Sequence, residues 1–427
     1  MRNTPTARNP MSKTARSSDV NLLTAHRDIA VSRGRTAALV GLVIVDLAVF
    51  AWFLVLFRNG LGANVYRVDL DVYRLGTGVW WQGGELYGRL PELHVGGHLP
   101  FLYPPIAAVA LGPFAVVPFW LASTAMVVLT IAALALVLVM VLRSLDVRPS
   151  AVVVCALLPA ALLLEPVRSN LYFGQINMLL MALVAVDCLA RTPRWPRGVL
   201  LGLAAAVKLS PAVFVLFFLL RGDRRAALTA GASFLCATGL GFLLAPGNSV
   251  RFWTDVVFEI DQRVGITSNS NQSIGALLAR LEIDAGVLRL LLAGAVLAIV
   301  AIGMRQAFAQ SRPAWALGLN ALGALLVSPL SWSHHWVWVA PILLTAGVYA
   351  WRARSSAAIA AVASGTLLVY LAPHRWWHKA DPWTVGRLLS GNLYLVAAVA
   401  VLVFAAVHAH RQATSISEVR TDVPVRT

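Results

Sequence analysis

The sequence predicts an all-α polytopic membrane protein, and three observations carry that prediction. Of 427 residues, 59% are hydrophobic and only 13% charged, with a mean hydropathy of +0.73. That is far more apolar surface than one soluble core can use. The apolar residues fall into runs of spanning or near-spanning length. The formal charge of +16 comes from arginines gathered in short clusters between those runs. Such clusters orient helices in a bilayer, so the charge points to membrane lipids as partners and not to nucleic acid.

In chain order, a polar tail (1–35) rich in Arg, Ser and Thr precedes the first apolar run at 37–57. No small-residue cleavage site follows that run, so it reads as a retained helix and not as a signal peptide. Further runs lie at 119–142, 151–164, 171–190, 226–245, 287–304, 314–330, 336–350, 357–371 and 388–408. Together they predict about ten spanning helices. Segments 101–118 and 198–220 are also apolar, but Pro104, Pro105 and Pro113 interrupt the first, and Lys208 and Pro211 the second. Proline breaks the hydrogen-bond ladder, and broken backbone survives at membrane depth only inside protein or against a cavity, so both segments read as bent or re-entrant.

With those two taken as non-crossing, the arginine clusters at Arg33 and Arg35, Arg143 and Arg148, Arg191 to Arg197, Arg221 to Arg225, Arg305 and Arg312, and Arg352 and Arg354, with Arg411, fall on one side. That side is the cytoplasm. The outer side receives loops at about 58–100, 246–286 and 372–387, with short links at 165–170 and 331–335. The expected layout is a membrane domain (36–410) between disordered cytoplasmic tails (1–35 and 411–427), multi-pass in the plasma membrane. Its working face is extracytoplasmic, because the outer loops hold the polar, aromatic and acidic residues. Cys155, Cys188 and Cys236 each sit inside an apolar run without ligand spacing and read as packing residues.

The first outer loop carries Asp69 and Asp71, then Tyr73, Trp80 and Trp81, and closes on Tyr103-Pro104-Pro105. Carboxylates and amides bind sugar hydroxyls, while aromatic faces stack on the C–H face of a pyranose. The same tryptophans also suit an interfacial aromatic belt. A carboxylate can take a proton from an acceptor hydroxyl within hydrogen-bond reach. Side chains two residues apart point in opposite directions on a strand and about 200° apart on a helix, so only one Asp is expected to face a site. Lys208, one of three lysines in the chain, lies inside a broken apolar segment, where a cation marks a functional position or snorkels to the interface.

Further along, His334 and His335 follow Ser328-Pro329 where an apolar run meets the outer face. They suit phosphate binding as imidazolium donors better than metal binding, because adjacent histidines point apart and no third ligand follows at usable spacing. Gln175 and Asn177 place two amides in an apolar run, a costly choice unless they bond to neighbouring helices or to a ligand. Asn271 and Gln272, in a dense run of uncharged donors and acceptors, suit either a sugar groove or an ordinary wet loop. Arg375 and Lys379, among indoles in the last outer segment, suit an anionic headgroup or an interfacial anchor.

Several of these pieces resemble, in this order, the polyprenyl-phosphate-sugar-dependent glycosyltransferases of the GT-C superfamily, and within it glycosyltransferase family 87. The residues that carry the resemblance are Asp69-Leu70-x-Val72-Tyr73, Leu86-Tyr87, Tyr103-Pro104-Pro105, Gly174-Gln175-x-Asn177, Lys208-Leu209-x-Pro211, Asn271-Gln272-Ser273, and Ser328-Pro329 to His334-His335. The resemblance implies a GT-C-like bundle of about 10–13 transmembrane helices with re-entrant segments and extracytoplasmic loops. It implies an Asp of the first outer loop as the base, which maps to Asp69, with Asp71 on a variable position as second choice. It also implies a lipid-linked donor, whose phosphate the cationic and histidine residues read above would place near His334, His335, Lys208, Arg375 and Lys379. Tyr73, Trp80, Trp81, Tyr103, Gln175, Asn177, Asn271 and Gln272 would then bind the sugar or acceptor.

The Arg-rich, Lys-poor composition looks like that of a high-GC actinobacterium, whose members of the family resemble α-1,2-mannosyltransferases acting on phosphatidylinositol mannosides, lipomannan and lipoarabinomannan. The expectation is transfer of mannose from polyprenyl-phospho-mannose by a single inverting displacement, with no cofactor and no obligatory metal. The alternatives are an arabinofuranosyltransferase using decaprenyl-phospho-arabinose, a lipid-linked-sugar transporter or flippase, and a non-catalytic glycan-assembly subunit.

Overall fold

The computed structural model describes residues 66–283, 286–378 and 382–421, together with Ala51. The amino-terminal tail, the rest of the first apolar run and Lys379 lie outside the described residues. Those described form helices, with one isolated β-bridge between Asn271 and Trp332.

Among the described residues, four segments are long and apolar enough to cross a membrane: Phe119–Ser144, Arg224–Leu244, Gly286–Ala309 and Ser356–Arg375. Two bent pairs raise the count to as many as six: Ala151–Leu163 with Glu165–Phe173, bent by 79°, and Val385–Gly391 with Leu393–Ala409, bent by 59°. The protein is thus an all-α membrane protein with several candidate spans, and the described residues hold fewer uninterrupted ones than their runs of apolar sequence suggested. Hydrophobicity continues across breaks that end a helix. The run at 171–190 is split at Gly174, and the helices Asn177–Leu189 and Pro313–Val327, of 13 and 15 residues, are too short to cross alone at about 1.5 Å per residue. At the other end, Leu393–Thr421 continues as helix through residues expected to be a disordered tail. Residues 411–421 contain neither Gly nor Pro, so nothing local stops the helix from propagating.

Six elements position the site. Helix α1 (Val68–Trp81) is amphipathic, with Asp69 and Asp71 in its first turn, where carboxylates complement the helix dipole. Helix α2 (Pro105–Ala110) is tied to it by Thr77, whose hydroxyl donates to the Ala108 carbonyl at 2.9 Å. Helices α3 (Glu165–Phe173) and α4 (Asn177–Leu189) meet at Gly174. Helix α5 (Val199–Val207) ends at Lys208, whose extended backbone (φ −150°, ψ 127°) breaks the segment before the tight turn Ser210–Phe214. Buried Asp187 anchors the start of α5 by accepting from the Gly198 and Leu201 amides at 3.0 and 2.9 Å. Helix α6 (Arg224–Leu244) lies so close to α5 that a Cβ at Gly202 would stand 2.3 Å from the Ala230 carbonyl oxygen.

Gly174 is a second obligatory glycine. Its φ of +69° gives α3 a left-handed cap, and a Cβ there would come within 2.9 Å of the Cβ atoms of Arg67 and Leu70. Gly174→Ala is therefore expected to destabilise the protein by roughly 2–4 kcal/mol, from left-handed strain and overpacking together. Thermal melting in detergent checks this, and an unchanged transition would refute it.

Candidate active site

The first turns of α1 present Val68, Asp69, Val72 and Tyr73 to a cavity of about 1110 Å³. Asp71 is on the other side of the helix. It is buried, accepts from the Tyr66 hydroxyl at 2.6 Å and the His94 Nδ1 at 3.0 Å, and does not line the cavity. The separation follows from helical geometry.

Gln175 holds the Asp69 carboxylate. Its Nε2 donates to Asp69 Oδ2 at 2.9 Å, while its Oε1 accepts from the Tyr73 hydroxyl at 2.8 Å. Tyr73 and Tyr103 hydroxyls lie 3.1 Å apart, and burial pushes both far above the ordinary tyrosine range, so they keep their protons. The Gly174 cap makes this arrangement possible by letting the chain turn back against α1. Burial raises the Asp69 carboxyl to about 6, opposed by the Gln175 hydrogen bond and the Lys208 charge. A half-buried carboxyl on a cavity that loses its proton near neutrality is suited to act as a base.

Lys208 projects from the α5 break onto the same cavity. Its Nζ donates to Asn177 Oδ1 at 2.7 Å and to His335 Nε2 at 3.3 Å, and lies 5.3 Å from the Tyr103 ring centroid. Asn177 faces Lys208 and donates to the His334 carbonyl at 3.1 Å, so its amide orients the cation. His335 Nδ1 is 3.2 Å from the Leu330 carbonyl, which leaves Nε2 as the acceptor toward Lys208. Burial and the Lys208 charge push His334 down to about 3 and His335 well below the histidine range. The expected imidazolium pair is therefore a neutral pair, and the positive charge here is on Lys208.

Other expected residues fall elsewhere. Asn271 and Gln272 are fully buried and do not line the cavity. Asn271 Oδ1 accepts from the Ser331 amide at 2.9 Å and the Gln272 backbone N–H donates to the Ser331 carbonyl at 2.8 Å, pinning the turn before His334, while the Gln272 side-chain Nε2 donates to the Asn269 and Gly391 carbonyls at 2.7 and 2.6 Å. Buried amides used this way satisfy backbone and leave little for a sugar. Trp80 donates to the Leu244 carbonyl at 3.2 Å and Trp81 is exposed; neither lines the cavity. Arg375 binds buried Glu165 at 3.3 Å, away from the cavity wall. Glu165 also accepts from Ser333 at 3.0 Å and Tyr394 at 3.2 Å, bracing the histidine turn from behind.

The sequence reasoning passed over His98, Arg263, Trp383 and Arg387, all of which line the cavity. The one available signal was position, since Trp383 and Arg387 close the segment 372–387 that the charge pattern predicts to lie outside. Among the described residues no cluster of three His, Cys, Asp or Glu side chains is placed to hold a metal.

Residues 101–329 match the model of glycosyltransferase family 87. The chain is 41% identical to a polyprenol-phosphate-mannose-dependent α-(1-2)-phosphatidylinositol mannoside mannosyltransferase of Mycobacterium tuberculosis, over 84% of this chain and 88% of that protein. It is equally similar, at 41%, to the protein of that description from Mycolicibacterium smegmatis, over 80% of this chain and 84% of the relative. A polyprenol-phosphate-mannose-dependent α-(1-2)-phosphatidylinositol pentamannoside mannosyltransferase of M. tuberculosis is 34% identical, over 87% of each chain. No solved structure matches. A family match across more than half the sequence, joined to such identity over nearly the whole of its relatives, makes this chain a member of glycosyltransferase family 87.

Proposed function

We infer that the protein transfers mannose from polyprenol-phosphate-mannose to a phosphatidylinositol mannoside, making an α-1,2 linkage at the outer face of the plasma membrane. The observation that carries this reading is the facing of Asp69 and Lys208 across one cavity, in a chain whose relatives are named for that donor and acceptor class. An arabinose donor has no comparable support.

In the proposed reaction Asp69 removes the proton from the acceptor hydroxyl. The acceptor oxygen attacks the anomeric carbon, and the bond from that carbon to the phosphate oxygen breaks with its electron pair going to the phosphate. One displacement inverts a β-linked donor to an α product. Lys208 supplies the charge that stabilises the departing phosphate, and the neutral histidines contribute hydrogen bonding and shape. Gln175 and Asn177 act as positioning residues for the base and the cation. The chemistry needs no protein nucleophile and no metal step.

The test uses purified protein in detergent with radiolabelled polyprenyl-phosphate-mannose and a phosphatidylinositol mannoside. The expected product carries a new mannose released by α-1,2-mannosidase, formed equally with excess chelator present. Transfer of arabinose from the corresponding arabinose lipid, or movement of donor across liposomes without transfer, would overturn the reading.

A further inference from the structure

A second part of the cavity wall carries a cation that the reaction above does not use. Two guanidinium groups lie over the Trp383 ring, Arg280 at 4.9 Å and Arg387 at 4.0 Å from its centroid. Both arginines are buried, and among the described residues neither has a carboxylate within ion-pair distance. The two differ in how they are satisfied. Arg280 is consumed by structure, donating to the Ser268 carbonyl at 2.5 Å and to Asn271 and Asn392. Arg387 donates one hydrogen bond, from Nη2 to Asn269 Oδ1 at 2.7 Å, while its Nε and Nη1 have no partner.

Leaving a charge buried and unpaired is costly, and a guanidinium cannot escape the cost by losing its proton. Arg387 is 2% exposed and lines the cavity beside Trp383, Ser268, Asn269 and Ser270. A planar cation stacked on an indole at a cavity wall, with buried N–H groups that the protein itself leaves unsatisfied, has the chemistry of a phosphate receptor. The inferred reaction brings two phosphodiesters to this cavity, one in the donor and one in a phosphatidylinositol acceptor. Lys208, whose Nζ lies 5.3 Å from the Tyr103 ring centroid and 3.3 Å from His335 Nε2 on the wall it shares with Asp69, stands at the reacting centre and so belongs with the departing donor phosphate.

We propose that Arg387, stacked on Trp383, is a second phosphate-binding station that takes the phosphodiester of the acceptor lipid. The proposal rests on the functional reading above. The experiment compares Arg387→Gln, Arg387→Lys and wild-type protein, each with a phosphatidylinositol mannoside and with the phosphate-free acceptor octyl α-mannoside. Loss of hydrogen bonds to a charged group predicts that Arg387→Gln raises KM for the phosphatidylinositol mannoside roughly 10- to 100-fold. KM for octyl mannoside and for the donor should not move, and Arg387→Lys should recover part of the loss. An equal loss with both acceptors, or a rise in donor KM alone, overturns the proposal.

Displacement of a fluorescent phosphatidylinositol mannoside reads binding separately from turnover. Wild-type protein that binds this lipid in an Arg387-dependent way but transfers no mannose upholds the station and overturns only the reaction. Equal binding by wild-type and Arg387→Gln protein overturns the station. If Arg387→Gln fails to fold, Arg387→Lys serves for the same comparisons with a smaller expected rise, and wild-type KM values on that variant overturn the proposal.

Discussion

Asp69→Asn is expected to lower mannosyl transfer by roughly 10³-fold while donor binding persists. The expectation comes from the position of this carboxylate on the cavity and the absence of a second carboxylate beside it on α1, since Asp71 is turned away and bound by Tyr66 and His94. The same group predicts the pH response. Asp69 must be ionised to accept a proton, and burial raises it to about 6, so the rate should fall as pH drops through about 6.

Stability runs the opposite way. The folded protein keeps the Asp69 proton up to about 6, whereas an unfolded chain releases it near 3.8, so the contribution is present at low pH and is lost as pH rises through about 6. At neutral pH the ionised group therefore costs stability, and Asp69→Asn should melt at or above the wild-type temperature. Steady-state rates and melting curves across this range test both statements. A folded variant with near-normal turnover, or a wild-type rate that stays flat through about pH 6, would refute the assignment.

Lys208→Met is expected to have the next largest effect, a loss of roughly 10²- to 10³-fold in kcat, as follows from removing charge stabilisation of a departing anion. It carries a second signature that a merely structural lysine would not give. The Lys208 charge holds the Asp69 carboxyl down, so its removal should move the acidic limb of the pH–rate profile to higher pH. A variant with reduced kcat and an unshifted limb would separate Lys208 from the base.

Much of the cavity wall was legible because chemistry-bearing residues stand out in oily sequence. Asp69, Tyr73, Tyr103, Gln175, Lys208, His334 and His335 are separated by up to 266 positions, and the fold gathers them on one cavity. Composition also made the fold class plain. Individual helix ends were less legible, since the run read at 171–190 passes through Gly174, where the backbone turns. Asn271 and Gln272 looked available because nothing in a sequence distinguishes an amide aimed at a ligand from one turned inward to hold a carbonyl. Arg387 was passed over for a related reason: the 59° bend after Gly391 decides which way its helix faces, and a bend has no signature in hydrophobic periodicity.

The Tyr73–Gln175–Asp69 chain has a consequence for how the protein resets after each turnover. Tyrosine donation to Gln175 Oε1 leaves only the amide N–H facing Asp69, and an amide N–H cannot accept a proton from it. The protein interior offers the carboxyl no route through this partner for discharging what it has taken up. In the proposed reaction the proton then leaves on the cavity side of Asp69, the side from which the lengthened glycolipid departs. Readiness for the next cycle is then tied to emptying of the chamber, so release of product and recovery of the base become one event.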